Sequence, residues 1–204
     1  MRGGVVLLGV LTVVVQAGVV GALGLTVAGR WWTAARRAHV AIVRTVAGSA
    51  VVLAALVAVV ATGGSLYLSE VAHFTPCALC WYQRCAMYPL AVLLSLAAWL
   101  REQTIRPYVL ALASLGLAVS TYHYLVEWFP ELEGSACDPT NPCALVWVRL
   151  FGYVSIPMMA GTAFVAIGGL MWLSALAPRR SPGPQHPQPS RLEEPTHAGP
   201  MARA

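Results

Sequence analysis

Pro-Cys-Ala-Leu-Cys-Trp-Tyr-Gln-Arg occupies residues 76–84 and opens an apolar run that continues to Leu100. The run lacks the polar stripe of a helix lying on a soluble core, and it is long enough to cross a bilayer, which takes roughly 20 helical residues. Four more blocks of this kind flank it, so the spans are expected near residues 5–28, 45–68, 78–100, 108–129 and 151–177. With 58% apolar and 10% charged residues, the chain has little material left for a soluble domain. The expected fold class is all-α: a polytopic membrane protein with a four-helix transmembrane bundle plus one extra N-terminal transmembrane helix. Residues 1–44 would hold that extra helix and a basic loop, 45–177 the bundle, and 178–204 a Pro-rich, disordered cytoplasmic tail.

The N-terminal block is about 23 residues long, beyond the 7–15 of a signal-peptide core, so it is read as a retained helix. The formal charge of +5 does not point to a nucleic acid, because its distribution follows the spans. All 13 basic residues are arginine. Arg30, Arg36, Arg37 and Arg44 are assigned to one loop, Arg101 and Arg106 to another, and Arg179, Arg180, Arg191 and Arg203 to the tail. If five spans alternate, these ten share one side, and the other side keeps only Arg2, Arg84 and Arg149 against five acids. That bias makes the arginine-rich side cytoplasmic. The expected location is the bacterial cytoplasmic (inner) membrane, with the lipid bilayer as a partner and no nucleic acid.

Cys77, Cys80, Cys137 and Cys143 then face the extracytoplasmic, oxidising side, which favours disulfides over a bound metal. Zinc is further disfavoured because no histidine adjoins either pair in the chain. Thr75 is read as the helix cap and Pro76 as the first helical residue, which puts Cys77 and Cys80 in the opening turn. Unpaired N–H groups there favour a thiolate. Arg84, one turn beyond Cys80 and roughly 12 Å from the helix start, adds a positive charge where lipid makes charge costly. A thiolate so placed can attack an apolar acceptor dissolved in the membrane. The bland reading is a structural disulfide with Arg84 reaching back to water. Cys85, deeper in the same helix, is expected to be a small buried residue without redox work.

The second pair encloses Asp-Pro-Thr-Asn-Pro, residues 138–142, in the loop 130–149, which is expected to be mobile and non-helical. Taken alone, it reads as a loop staple; exposed disulfides are also the exchanging kind. His123, roughly 9 Å inside its helix, is a donor or proton conduit to a bound head group, or else a core histidine bonded to a backbone carbonyl. Trp81, Tyr82, Trp128 and Trp147 are read as interfacial anchors. Pro157 is expected to kink the last span and shape the pocket.

Taken together, the Cys-x-x-Cys stretch with Arg84, the Thr-Tyr-His stretch at 121–123, the loop cysteines and Phe-Gly-Tyr-Val-Ser-Ile-Pro at 151–157 resemble the DsbB family of disulfide bond formation proteins. The six-position separation of the loop cysteines is similar to the short-loop, BdbC-like form of Gram-positive relatives. The resemblance implies a thiol:quinone oxidoreductase that reoxidises a DsbA-like extracytoplasmic oxidase. Cys137 would form the mixed disulfide with that partner, with Cys143 as resolving mate. Cys77 and Cys80 would form the quinone-proximal disulfide, with Cys80 meeting the quinone (ubiquinone or menaquinone) and Arg84 stabilising that encounter. Vitamin K epoxide reductase homologues carry similar parts, but their loop pair precedes the Cys-x-x-Cys, whereas here it follows. A non-enzymatic membrane subunit with two structural disulfides is the alternative of another class.

Overall fold

The computed structural model describes residues 2–102 and 104–176. Five helices account for most of it: α1 (Arg2–Ala28), α2 (Thr33–Leu66), α3 (Ala78–Leu100), α4 (Arg106–Trp128) and α5 (Ile156–Leu176). All five are long and apolar enough to cross a membrane. Among the described residues there is no β-sheet, only two isolated bridges in the α4–α5 loop. The chain is a multi-pass helical membrane protein. The disordered tail expected at 178–204 lies outside the described residues.

Helices α2, α3, α4 and α5 form a closed ring in which each packs on the next and α5 returns to α2, while α1 packs from outside on α2 and α5. Their close approach rests on small residues. Ala47, Ala50, Val51, Ala54, Ala55 and Ala58 form the buried stripe of α2. Against it stand Leu90 and Leu94 of α3, Val109 of α4, and Phe164, Ile167 and Met171 of α5. In lipid such contacts stabilise by packing rather than by leaving water, so small residues that bring backbones together matter most. The outward faces stay apolar, as Val52, Val92, Trp99 and Leu115 show.

Gly116 marks the tightest approach in the ring: a Cβ there would lie 2.3 Å from the ring of Phe164, itself fully buried. Gly116→Leu should therefore destabilise the bundle by about 3 kcal/mol, the upper end of overpacking costs. A thermal melt in detergent measures this, and adding Phe164→Ala should recover part of the loss. An unchanged melting temperature would contradict the packing.

Three expectations change here. Helix α2 starts at Thr33 rather than near 45, so Arg36, Arg37 and Arg44 sit on a helical extension instead of in a loop. No Gly or Pro interrupts 33–47, and Ala and Arg are strong helix formers. At its other end the helix widens into a π-turn, Tyr67–Val71, before His73 reverses the chain with φ 57°. Helix α5 starts at Ile156, not 151, after a turn at Phe151 and Gly152 in positive φ. Pro157 thus lies in the first helical turn, where no N–H is missed, and does not kink the span.

Candidate active site

Helix α3 begins two residues later than expected. Cys77, not Thr75, is its N-cap, with extended backbone and a sulfur that accepts the Cys80 N–H at 3.5 Å. Cys80 sits three residues on, and the two sulfurs are 3.5 Å apart as free thiols. The same sulfur of Cys77 lies 3.6 Å from Nε2 of His123. The Cys80 thiol, and after it the His123 ring, hold the Cys77 thiol below the usual thiol range, against the opposing effect of burial. At 3.5 Å the two sulfurs stand ready to close on one another.

His123 is buried on α4 and joins the two cysteine pairs. Its Nε2 lies 3.2 Å from the backbone carbonyl of Cys143, and its Nδ1 lies 3.1 Å from the amide nitrogen of Gln83. A carbonyl can only accept, so in the neutral ring Nε2 carries the proton and Nδ1 accepts from Gln83. Of the two readings of His123, the structure shows the core one: it bonds a backbone carbonyl, and that carbonyl belongs to a loop cysteine. It stands behind the thiols and does not line the cavity described below.

Cys137 and Cys143 form a disulfide. Between them Asp138 accepts hydrogen bonds from the N–H and hydroxyl of Thr140, both at 2.8 Å, and these keep its exposed carboxyl below the ordinary range. The Glu133 carboxylate accepts the N–H groups of Cys143 and Ala144, and Asn141 donates to the Pro76 carbonyl at 3.1 Å. The Glu133 bonds tie the loop to itself, and the Asn141 bond holds it against the start of α3. Cys143 is fully buried in one cluster with Cys77, Leu79 and Val126, while Cys137 is only partly covered. The arrangement offers one sulfur of the disulfide to a visitor and sets the other beside the second pair.

Cys80 opens in the other direction, into a cavity of about 320 Å³ lined also by Gln83, Arg84, Tyr88, Phe74 and Trp147. Arg84 donates from Nε to the Ser65 hydroxyl at 3.0 Å and from a terminal nitrogen to the Ser65 carbonyl at 3.1 Å. Its guanidinium also lies over Trp81, 5.0 Å from the ring centre. Trp147, expected chiefly as an anchor and less as a wall of the site, stacks on Phe74 at 5.3 Å and forms part of the cavity wall. Trp81, Tyr82 and Trp128 face outward, Trp128 beneath Arg149. Cys85, expected to be buried, is exposed on the outer face of α3.

Cys77, Cys80 and His123 also place three ligand atoms within 4.8 Å of one another. The sequence argument that no histidine adjoins a cysteine pair therefore fails in space. A family model for the disulfide bond formation protein DsbB matches residues 47–176. The chain belongs to the DsbB family. It is 41% identical over 113 residues to disulfide bond formation protein C of Bacillus subtilis, covering 55% of this chain and 82% of that one. It is 46% identical over 113 residues to a probable disulfide formation protein of Oceanobacillus iheyensis, covering 54% and 77%. With probable disulfide formation protein C 2 of Bacillus anthracis it shares 34% over 144 residues, 71% and 95% of the two chains. No solved structure matches. As a DsbB-family membrane protein, this chain is a disulfide-forming oxidoreductase. Gln83, Ser65, Glu133 and Asn141 were not singled out in the sequence. They carry no motif of their own, and only the crossing of helices and loop brings them to the sulfurs.

Proposed function

We propose that this protein is a membrane thiol:quinone oxidoreductase that reoxidises a DsbA-like, thioredoxin-like oxidase on the extracytoplasmic side. The observation that carries this reading is the serial placement of the two pairs. The half-buried Cys137 leads to the fully buried Cys143, which packs with Cys77 beside His123, and Cys80 faces the cavity.

The electron balance follows that order. A partner thiolate attacks the sulfur of Cys137, displacing Cys143, and the partner's second thiol then resolves the mixed disulfide. The partner leaves oxidised, and Cys137 and Cys143 are left as thiols. The Cys143 thiolate attacks Cys77 of an oxidised Cys77–Cys80 pair, Cys137 recloses on Cys143, and the two electrons now rest on Cys77 and Cys80. Quinone, bound in the cavity, supplies the acceptor for two electrons and two protons, which restores the disulfide.

The cavity suits such a head group. It is apolar for the most part, and at its wall the Tyr88 hydroxyl has no hydrogen-bond partner among the described residues. A buried hydroxyl of that kind favours a ligand that brings an acceptor. Arg84, with Ser65 fixing its orientation, places a positive charge on the same wall. A ubiquinone or a menaquinone both present the required carbonyl oxygens. The arginine distribution supports placing the cysteine end outside.

The test is capture of the partner. In cells producing Cys143→Ser, Cys137 should accumulate in a mixed disulfide with a thioredoxin-like protein identifiable by mass spectrometry. Purified wild-type protein with that reduced partner should then consume quinone, seen as loss of its ultraviolet absorbance. A captured protein without a thioredoxin-like Cys-x-x-Cys, or no quinone consumption, would overturn the reading.

A further inference from the structure

We infer that the N-terminal helix α1 is the lipid-side wall of the acceptor cavity and sets which quinones reach Cys80, an inference that rests on the proposed quinone reaction. The helix lies wholly outside the segment matched to the DsbB family, so the family does not supply this role. Leu8, Leu11, Thr12 and Val15 recur at helical spacing on one face and line the cavity together with residues of α2, α3 and α5. None of the lining residues comes from α4. The α2–α5 side of the cavity, which the four-helix ring would leave to lipid, is therefore covered by α1.

Its seat is fitted rather than casual. Leu8 packs on Gly64 of α2, where an added Cβ would come within 2.8 Å of its methyl group. Gly4 passes the Tyr67 ring, where a Cβ would lie 2.5 Å from it, and Gly9 passes the end of the Leu150 side chain, which a Cβ would displace. One polar lock completes the seat. The Gln16 amide nitrogen donates to the Thr162 hydroxyl at 3.0 Å, and its oxygen accepts from the Tyr153 hydroxyl at 2.9 Å. A glutamine inside an apolar span is costly without partners, and here both ends of its amide are used. Thr162 itself lines the cavity, so the lock lies at the cavity wall. In the other half of α1, Val20, Leu23 and Val27 face outward. The fitted contacts are thus concentrated where the helix covers the cavity.

A cavity of about 320 Å³ lies near the lower end of the range for small-ligand pockets, roughly 300–1,000 Å³. In a space this small, one added or missing side chain on α1 decides between a one-ring and a two-ring head group. Discrimination by a single methylene in an apolar pocket is already worth roughly tenfold or more.

The test uses full-length purified protein carrying Leu11→Trp or Leu8→Ala, with a benzoquinone and a naphthoquinone of equal chain length as probes. KM for each is measured in turnover. Equilibrium binding of each is measured separately in a Cys80→Ala background by separating free from bound quinone. Leu11→Trp should weaken naphthoquinone at least about tenfold more than benzoquinone, and Leu8→Ala should shift the ratio the other way. Oxidation of the first equivalent of partner, which needs only Cys137–Cys143, should match wild type in both variants. If wild type binds and reduces quinone while both variants keep its affinity ratio, this inference alone falls. If both variants lose the first-equivalent oxidation, α1 has only a structural role and the inference also falls. If wild type binds no quinone, the proposed function falls together with it.

Discussion

Cys80→Ala protein should oxidise one equivalent of reduced partner and then stop. The variant still carries the Cys137–Cys143 disulfide, which lies in the loop and does not depend on Cys80 for its formation. One partner dithiol can therefore be oxidised, at a rate close to wild type. The two electrons then rest on Cys137 and Cys143 with nowhere to go, because Cys77 without Cys80 cannot form the second disulfide. Turnover with excess quinone should fall by roughly a thousandfold or more, as expected when a covalent step loses its nucleophile. Quenched samples resolved by thiol alkylation and mass count the equivalents directly. Sustained turnover in Cys80→Ala would remove Cys77–Cys80 from the electron path. Loss of the first equivalent as well would show that the loop pair is not the entry point.

How much of this was legible beforehand depends on whether the information is local. The five apolar blocks, the Cys-x-x-Cys and the arginine four residues beyond are one-dimensional signals, and the structure has a helix for each block and the cysteine pair at the start of α3, though several helix starts lie elsewhere than read. Cys85 was misplaced although the same arithmetic was available. Five residues at 100° each put it about 140° around α3 from Cys80, which turns it away from the ring. The start of α3 was misjudged because Thr75 is the usual capping residue, whereas the Cys77 sulfur takes the helix N–H instead. Nothing local marks the meeting of His123 with Gln83, or of Arg84 with Ser65, since each joins two helices whose relative rotation only packing decides. In helix α1 the one local signal is Gln16, an amide within an otherwise apolar span. Trp147 reaches the cavity on a loop that Glu133 ties to itself and Asn141 ties to Pro76 before α3, which no pattern in the loop announces.

Arg84→Leu separates the reactive role of the arginine from a structural one. The side chain is held by a hydroxyl, a carbonyl and an indole ring, all neutral, so none of these offsets its charge. A guanidinium within a membrane span costs roughly 2.5–3.5 kcal/mol relative to an apolar residue. Replacing it by leucine should therefore leave the melting temperature unchanged or raise it. Activity should move the opposite way. The charge lies on the cavity wall with Cys80, where negative charge develops as electrons pass to the acceptor, and removing such a fixed charge typically costs about 100-fold in rate. The first equivalent of partner should still be oxidised at the wild-type rate, since that step stays within the loop pair. Arg84→Lys should recover only part of the loss. An ammonium keeps the charge but cannot hold the Ser65 hydroxyl and carbonyl at once with a planar fork. Ser65→Ala, which removes the hydroxyl and spares the charge, should fall between wild type and Arg84→Lys. A lower melting temperature with quinone reduction intact would make Arg84 a structural residue. Higher stability with the reduction lost would mean that the membrane tolerates this charge for its reactivity, a trade of stability for activity located at one side chain.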